Sequence, residues 1–231
     1  MKNIYVLILL LIYNCSSESS SLKTIKKHDF IKVEDTYVSK YEISNIQFVN
    51  FLNSALDKHE IQIDSMFNII GYYEGDRYYK SGDKILYKIV NESPIKFNNN
   101  SFNVDSIHAN MPIVKISWYA AYKYCTFYDF ELPSEEVWLK ISKNELSVSD
   151  IQTTIMPVSS IIDSNIYGII NIHSNVSEWI NPFYDDRWPY KQIRGSSFKN
   201  PLTPLDKKIG NFAPQLLEDV GFRPIFIPPR K

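Results

Sequence analysis

The segment that constrains this chain most is Gly168–Trp179, which reads Gly-Ile-Ile-Asn-Ile-His-Ser-Asn-Val-Ser-Glu-Trp. Bulky apolar residues are interleaved in it with Asn171, Ser174, Asn175, Ser177 and Glu178. A stretch that forms one wall of a core can carry so many polar groups only if they have fixed partners. Two kinds of partner suit them. One is the backbone of neighbouring turns; the other is a hard cation, for which calcium is the natural candidate because it takes carboxylate, amide and carbonyl oxygens in a flexible shell.

With 231 residues and 44% hydrophobic content, the chain can bury one good core. A net charge of −1 provides no field that would gather nucleic acid, so none is expected as a partner. Sixteen tyrosines and 13 phenylalanines against 7 glycines describe an aromatic-rich domain with few flexible linkers.

Residues 1–14 read as a signal peptide: Met1-Lys2-Asn3 is a short positive start and Ile4–Ile12 an apolar run too brief to span a bilayer as a helix. Cys15 follows, then Ser16-Ser17-Glu18-Ser19-Ser20-Ser21, a polar tether that cannot bury itself. This order resembles a bacterial lipoprotein signal, with Cys15 the lipidated first residue of the mature chain, 15–29 a tether and 30–231 the folded domain. The expectation is an exported protein held to a membrane of the bacterial cell envelope through Cys15. Cys125 is then the only other thiol, so no intramolecular disulfide is expected, and its place on an apolar helical stripe marks a buried structural thiol.

Phe30–Tyr37 alternates as a strand. Ser44 with Gln47 forms a capping box, and Phe48, Phe51, Leu52, Ala55 and Leu56 recur at helical spacing behind it. Residues 57–110 break into short pieces. Gly71–Tyr87 alternates turn formers with tyrosines as hairpin strands do, an edge whose flat rings suit a sugar or a protein partner, and Ile95–Val104 reads as a hairpin about Asn98-Asn99-Asn100. Met111–Trp118 reads as a strand leading into a helix capped by Ser117, with Trp118, Ala121, Tyr122 and Cys125 as its buried stripe. Ser134 caps another helix whose first turn carries Glu135 and Glu136. Gln192–Phe198 and Val220–Ile227 read as strands.

Five of these blocks, in order, resemble the formylglycine-generating-enzyme (sulfatase-modifying factor) family. Tyr41–Phe48 is similar to its "E-V-T-N-x-x-Y/F" block, Met111–Cys125 to "P-V-x-x-V-S-W-x-x-A-x-x-Y-C", and Glu131–Trp138 to "R-L-P-T-E-x-E-W". Gly168–Trp179 is similar to "G-L-x-D-M-x-G-N-V-x-E-W", and Ile193–Phe198 with Gly221–Pro224 to "R-G-G-S-W … G-F-R". The resemblance implies an α+β fold: a compact, elaborated C-type-lectin-like domain with short strands, two or three main helices and extensive loops. It marks Glu42, Trp118, Trp138, Asn175, Trp179, Arg194 and Arg223 as structural. Arg194 and Arg223 are expected to pair with buried acids such as Glu42 or Glu178. Carried over from the family, the calcium ligands would be Asn171, the carbonyls of Ser174 and Val176, and Glu178, with Ser174 strained if it takes the left-handed backbone of the family's glycine. His173 reads as a packed residue, and the short span from Trp138 to Met156 implies that a second calcium site is gone.

The departure from the family lies in the span Lys199–Val220. The family's enzymes hold copper there on two cysteines; this chain has neither cysteine nor histidine in it. Carboxylates and amides do not replace such soft ligands. The four histidines are scattered without ligand spacing, so neither copper nor iron is expected. No catalytic residues are assigned. The expected role is binding or assembly, with an envelope protein or a glycan as partner. The rivals are an enzyme of the family using another site, with Asp185-Asp186 and Glu218-Asp219 as its candidate acids, and a lectin-like domain displaying the loop after Phe198.

Overall fold

The computed structural model describes residues 29–143, 152–183, 185–204 and 206–229. Cys15 and the segment before residue 29 lie outside them. The described chain is α+β, with three helices set among short strands in four small sheets.

A first sheet orders β1 (Phe30–Val33), β2 (Thr36–Ser39) and β12 (Ile225–Phe226). The single strand expected over Phe30–Tyr37 is therefore a hairpin, turned at Glu34, whose φ is 52°. Helix α1 (Asn45–Asp57) starts at the expected capping box: Ser44 accepts from Gln47 N, and Gln47 Oε1 accepts from Ser44 N at 2.9 Å. Its buried face is Phe48, Val49, Phe51, Leu52 and Ala55. The region that follows carries a sheet of β3 (Ile61–Ile63), β4 (Asn68–Tyr73) and β5 (Gly82–Lys88), then the hairpin β6 (Ile95–Asn98) and β7 (Ser101–Val104). Asn99 and Asn100 turn that hairpin at φ 49° and 58°, a conformation asparagine tolerates.

Met111–Trp118 is not a strand. Its N–H groups go to separate segments, Ile113 to Ile43 O, Lys115 to Leu217 O and Ser117 to Leu86 O, so it stitches the layers together and makes only isolated bridges. Helix α2 (Trp118–Phe127) is capped by Ser117, and α3 (Glu135–Ser142) by Ser134. On α2 it is Tyr124 that is buried while Tyr122 is half-buried, and Cys125 is a buried thiol whose pKa burial raises well above its ordinary value.

The last sheet orders β10 (Ile209–Phe212), β9 (Tyr190–Arg194), β8 (Ser177–Phe183) and β11 (Val220–Phe222). The final strand expected over Val220–Ile227 divides at Arg223-Pro224. β11 pairs parallel with β8, whereas β12 leaves to pair antiparallel with β2. Proline offers no N–H to continue a ladder, so the break falls there. At Gly221 an added Cβ would meet Ile113 O at 2.8 Å, which explains glycine in that block.

Candidate functional site: the loop 160–178 and the span 199–219

The oxygen-bearing side chains of Gly168–Trp179 all have protein partners. Asn171 Nδ2 donates to Ser160 O at 2.9 Å, and its Oδ1 accepts from Ile162 N at 3.0 Å. Asp163 draws the loop inward: its Oδ1 accepts from Ile172 N at 3.0 Å and its Oδ2 from the Ser174 hydroxyl. Asn175 Oδ1 accepts from Met156 N at 2.9 Å, while its Nδ2 donates to Glu42 Oε1 at 3.0 Å. Beyond Gly168, the left-handed positions are Asn171 (φ 57°) and Asn175 (φ 62°), not Ser174. Serine in place of the family's glycine is therefore unstrained, because asparagine takes the turns.

Glu178, on β8, is 1% exposed. Its Oε1 accepts from Arg223 Nε at 2.9 Å and its Oε2 from Trp138 Nε1 at 3.2 Å. Arg223 spends its remaining donors on the carbonyls of Ser39 (3.0 Å), Lys40 (2.8 Å) and Ile170 (2.9 Å), tying three segments to one guanidinium. Arg223 thus meets the expected buried acid. Arg194 does not: it lies opposite Glu178 across the β8–β9 ladder, but pairs with Glu135 at the start of α3 and donates to Asp206 O at 3.0 Å. Glu178 has both oxygens engaged already, which leaves Glu135 as the acid for Arg194.

The calcium set drawn from the family, Asn171, Ser174, Val176 and Glu178, does fall in one loop. Two of its four donors are already engaged by the protein itself. The Asn171 amide is spent on backbone, and the Glu178 carboxylate faces a guanidinium that supplies the positive charge an ion would bring. Among the described residues no group of three or more His, Cys, Asp or Glu is gathered to hold a metal.

Glu42 lies beside this pair, 1% exposed, with Oε2 lacking a hydrogen-bond partner. Burial pushes its pKa up to about 8, against the pull of Arg223 and with a further push from Glu178. Burial raises the pKa of Glu178 as well, opposed by Arg223. Trp118, Trp138 and Trp179 are buried with their indole N–H groups bonded, to Ile180 O, Glu178 Oε2 and Ile116 O. His173 packs edge-on against Trp138, as a framework residue does.

A model of the sulfatase-modifying factor enzyme 1-like domain matches residues 14–145, more than half of the chain. The chain belongs to this family. Among solved structures it is similar to CarF, at 13% identity over 84% of this chain and 86% of that one, with a TM-score of 0.54. It is similar also to PvdO from Pseudomonas aeruginosa (14%, 82% and 79%, 0.51) and to Treponema denticola variable protein 1 (13%, 84% and 84%, 0.50). Likeness at this identity shows the fold. No curated protein matches the chain in sequence.

In this member of the family, the span 199–219 is held by ordinary polar contacts. The Ser197 hydroxyl donates to Asp219 Oδ2 at 2.5 Å and Asn200 Nδ2 to the same oxygen at 3.1 Å, while Lys199 pairs with Glu218. With neither thiol nor imidazole in the span, its donors do not fit copper. The two acidic pairs considered as alternatives are engaged too. Asp185 is bound by Arg187, which holds its carboxyl down at about 2, and Asp186 pairs with Arg77.

Reading the sequence did not find Lys191, which is buried on β9. Its ammonium lies 2.8 Å from Asp76 Oδ2, 3.8 Å from the Trp118 ring centroid and 3.7 Å from that of Phe183. Asp76 also accepts from the Tyr73 hydroxyl at 2.7 Å and from Tyr78 N and Tyr79 N, so the tyrosine-rich region is locked to the last sheet through one charge. The signal available was a lone lysine within an otherwise buried strand.

Proposed function

We propose that the chain is a lipid-anchored protein of the bacterial cell envelope whose family domain serves binding or assembly rather than catalysis. The observation that carries this reading is the composition of Lys199–Val220, which retains its flanking blocks but offers no thiolate or imidazole. Lipidation at Cys15 rests on the N-terminal pattern, and the binding role on a framework whose buried charges are spent on holding it together.

The test is in two parts. Metabolic labelling with a clickable fatty acid should mark the full chain and fail to mark Cys15→Ser. Crosslinking in intact cells followed by recovery of the chain should bring down a reproducible envelope partner. A chain that is unlabelled and recovered alone would overturn the proposal.

A further inference from the structure

One exposed feature is held in place with more care than a surface requires. Trp188 is 54% exposed and Phe212 43%. Tyr190 and Phe212 are partners in the β9–β10 register, and their rings meet edge to face at 73° with centroids 4.8 Å apart. Trp188 lies two residues before Tyr190, its ring within 16° of parallel and 6.4 Å away. The Tyr79 hydroxyl ties together the two segments that carry these rings. It donates to Pro189 O at 2.6 Å, just ahead of β9, and accepts from Ala213 N at 3.0 Å, just after β10. The Tyr78 hydroxyl donates to Asp186 O in the preceding turn. The tyrosine-rich region thus bonds two segments more than a hundred residues away, and both present aromatic rings to solvent.

We propose that Trp188, Tyr190 and Phe212 form a binding site for a neutral saccharide. The proposal deepens the binding role put forward above and rests on it. Aromatic faces are electron-rich and attract the weakly positive C–H face of a pyranose ring. Hydroxyl groups at the ring's edge suit carboxylate and guanidinium partners, and the platform is flanked by Asp186 and Arg187, 90% and 80% exposed. Charge decides against a polyanion: Arg77, Asp186, Asp185 and Arg187 pair off to a net charge of zero. Area decides against a protein interface of ordinary size. Half-open rings of this kind offer roughly 200–300 Å², well below the ~800 Å² per partner of a stable complex. One or two sugar rings match it.

The chain contains four tryptophans, and the other three are buried, so acrylamide quenching reads Trp188 almost alone. The full chain, held in a non-glycosidic detergent, is titrated with maltohexaose, cellohexaose and chitohexaose, which separates hexose from N-acetylhexosamine recognition. The expected result is protection of the exposed tryptophan by at least one oligosaccharide at millimolar concentration. Calorimetry should show that affinity falling at least tenfold in Trp188→Ala and in Phe212→Ala, and partly retained in Trp188→Phe. Absence of protection by all three, affinity unchanged in Trp188→Ala, or protection by neutral phospholipid vesicles instead would overturn the site. If Trp188→Ala still recovers the envelope partner by crosslinking while the saccharides fail, this site falls and the binding role stands. If a saccharide binds and no partner is recovered, the site stands and assembly falls.

Discussion

Replacing Glu42 with glutamine should remove most of the pH dependence of stability between pH 5 and 8.5. Glu42 is buried beside Glu178, with one oxygen bonded to Asn175 and the other without a partner, and its pKa rises from 4.5 to about 8. The folded state therefore binds its proton more tightly than the unfolded state. Its contribution is fully present below pH 4.5 and is lost as the pH climbs through 8, because between those values only the unfolded chain has released the proton. At ~1.4 kcal/mol per unit, the loss is on the order of 5 kcal/mol, comparable with the entire stability of many domains. Glu178, also raised by burial, acts in the same sense. Depressed carboxylates such as Asp76 and Glu135 act in the opposite sense, but at more acid pH. Urea unfolding followed by emission of the buried Trp118, Trp138 and Trp179 at pH 5.5, 7 and 8.5 measures the effect. The parent should lose stability steadily with rising pH, and Glu42→Gln should be flatter and the more stable of the two at pH 8.5. A parent profile that is level or rises over this range would refute the reasoning, as would an undiminished slope in the variant.

Arg223→Met should cost about 3–5 kcal/mol, because it orphans Glu178 and three backbone carbonyls at once; in differential scanning fluorimetry the melting midpoint should fall by roughly 10 °C or more. Lys191→Met should cost about 2–4 kcal/mol by stranding Asp76, and adding Asp76→Asn should recover more than half of it in a urea double-mutant cycle. Chelation should not move the midpoint: exchanging calcium for EGTA should shift it by less than about 1 °C, whereas an ion bound at a hundred times its Kd would add ~2.7 kcal/mol.

The parts of the fold legible in the sequence are those set within a few residues. The caps at Ser44, Ser117 and Ser134 and the asparagine turn at 98–100 need only local geometry, and each stands where the pattern places it. Strand assignments failed where the partner changed along the run. Met111–Trp118 has an apolar strand pattern but bonds to three separate segments, and Val220–Ile227 serves two sheets. At the loop, the pairing of Arg223 with Glu178 was legible because both belong to blocks shared with the family. The engagement of Asn171 was not, since its partners Ser160 and Ile162 lie in a turn-rich stretch with no pattern of its own. The aromatic platform was also hidden, because Tyr190 and Phe212 become neighbours only through the β9–β10 register. Lys191 was hidden for the same reason: its partner Asp76 comes from the divergent region 57–110.

The proposed loss of the family's reactive metal centre from a retained framework has a direct chemical consequence. It is tested by loading the purified full chain with copper(I), supplying oxygen, a thiol reductant and a cysteine-containing sulfatase peptide, and following the peptide by mass spectrometry. The peptide's cysteine should not be converted to formylglycine, and substitutions in 199–220 should change nothing. Repeated turnover of peptide to formylglycine by the parent chain would contradict the proposed loss.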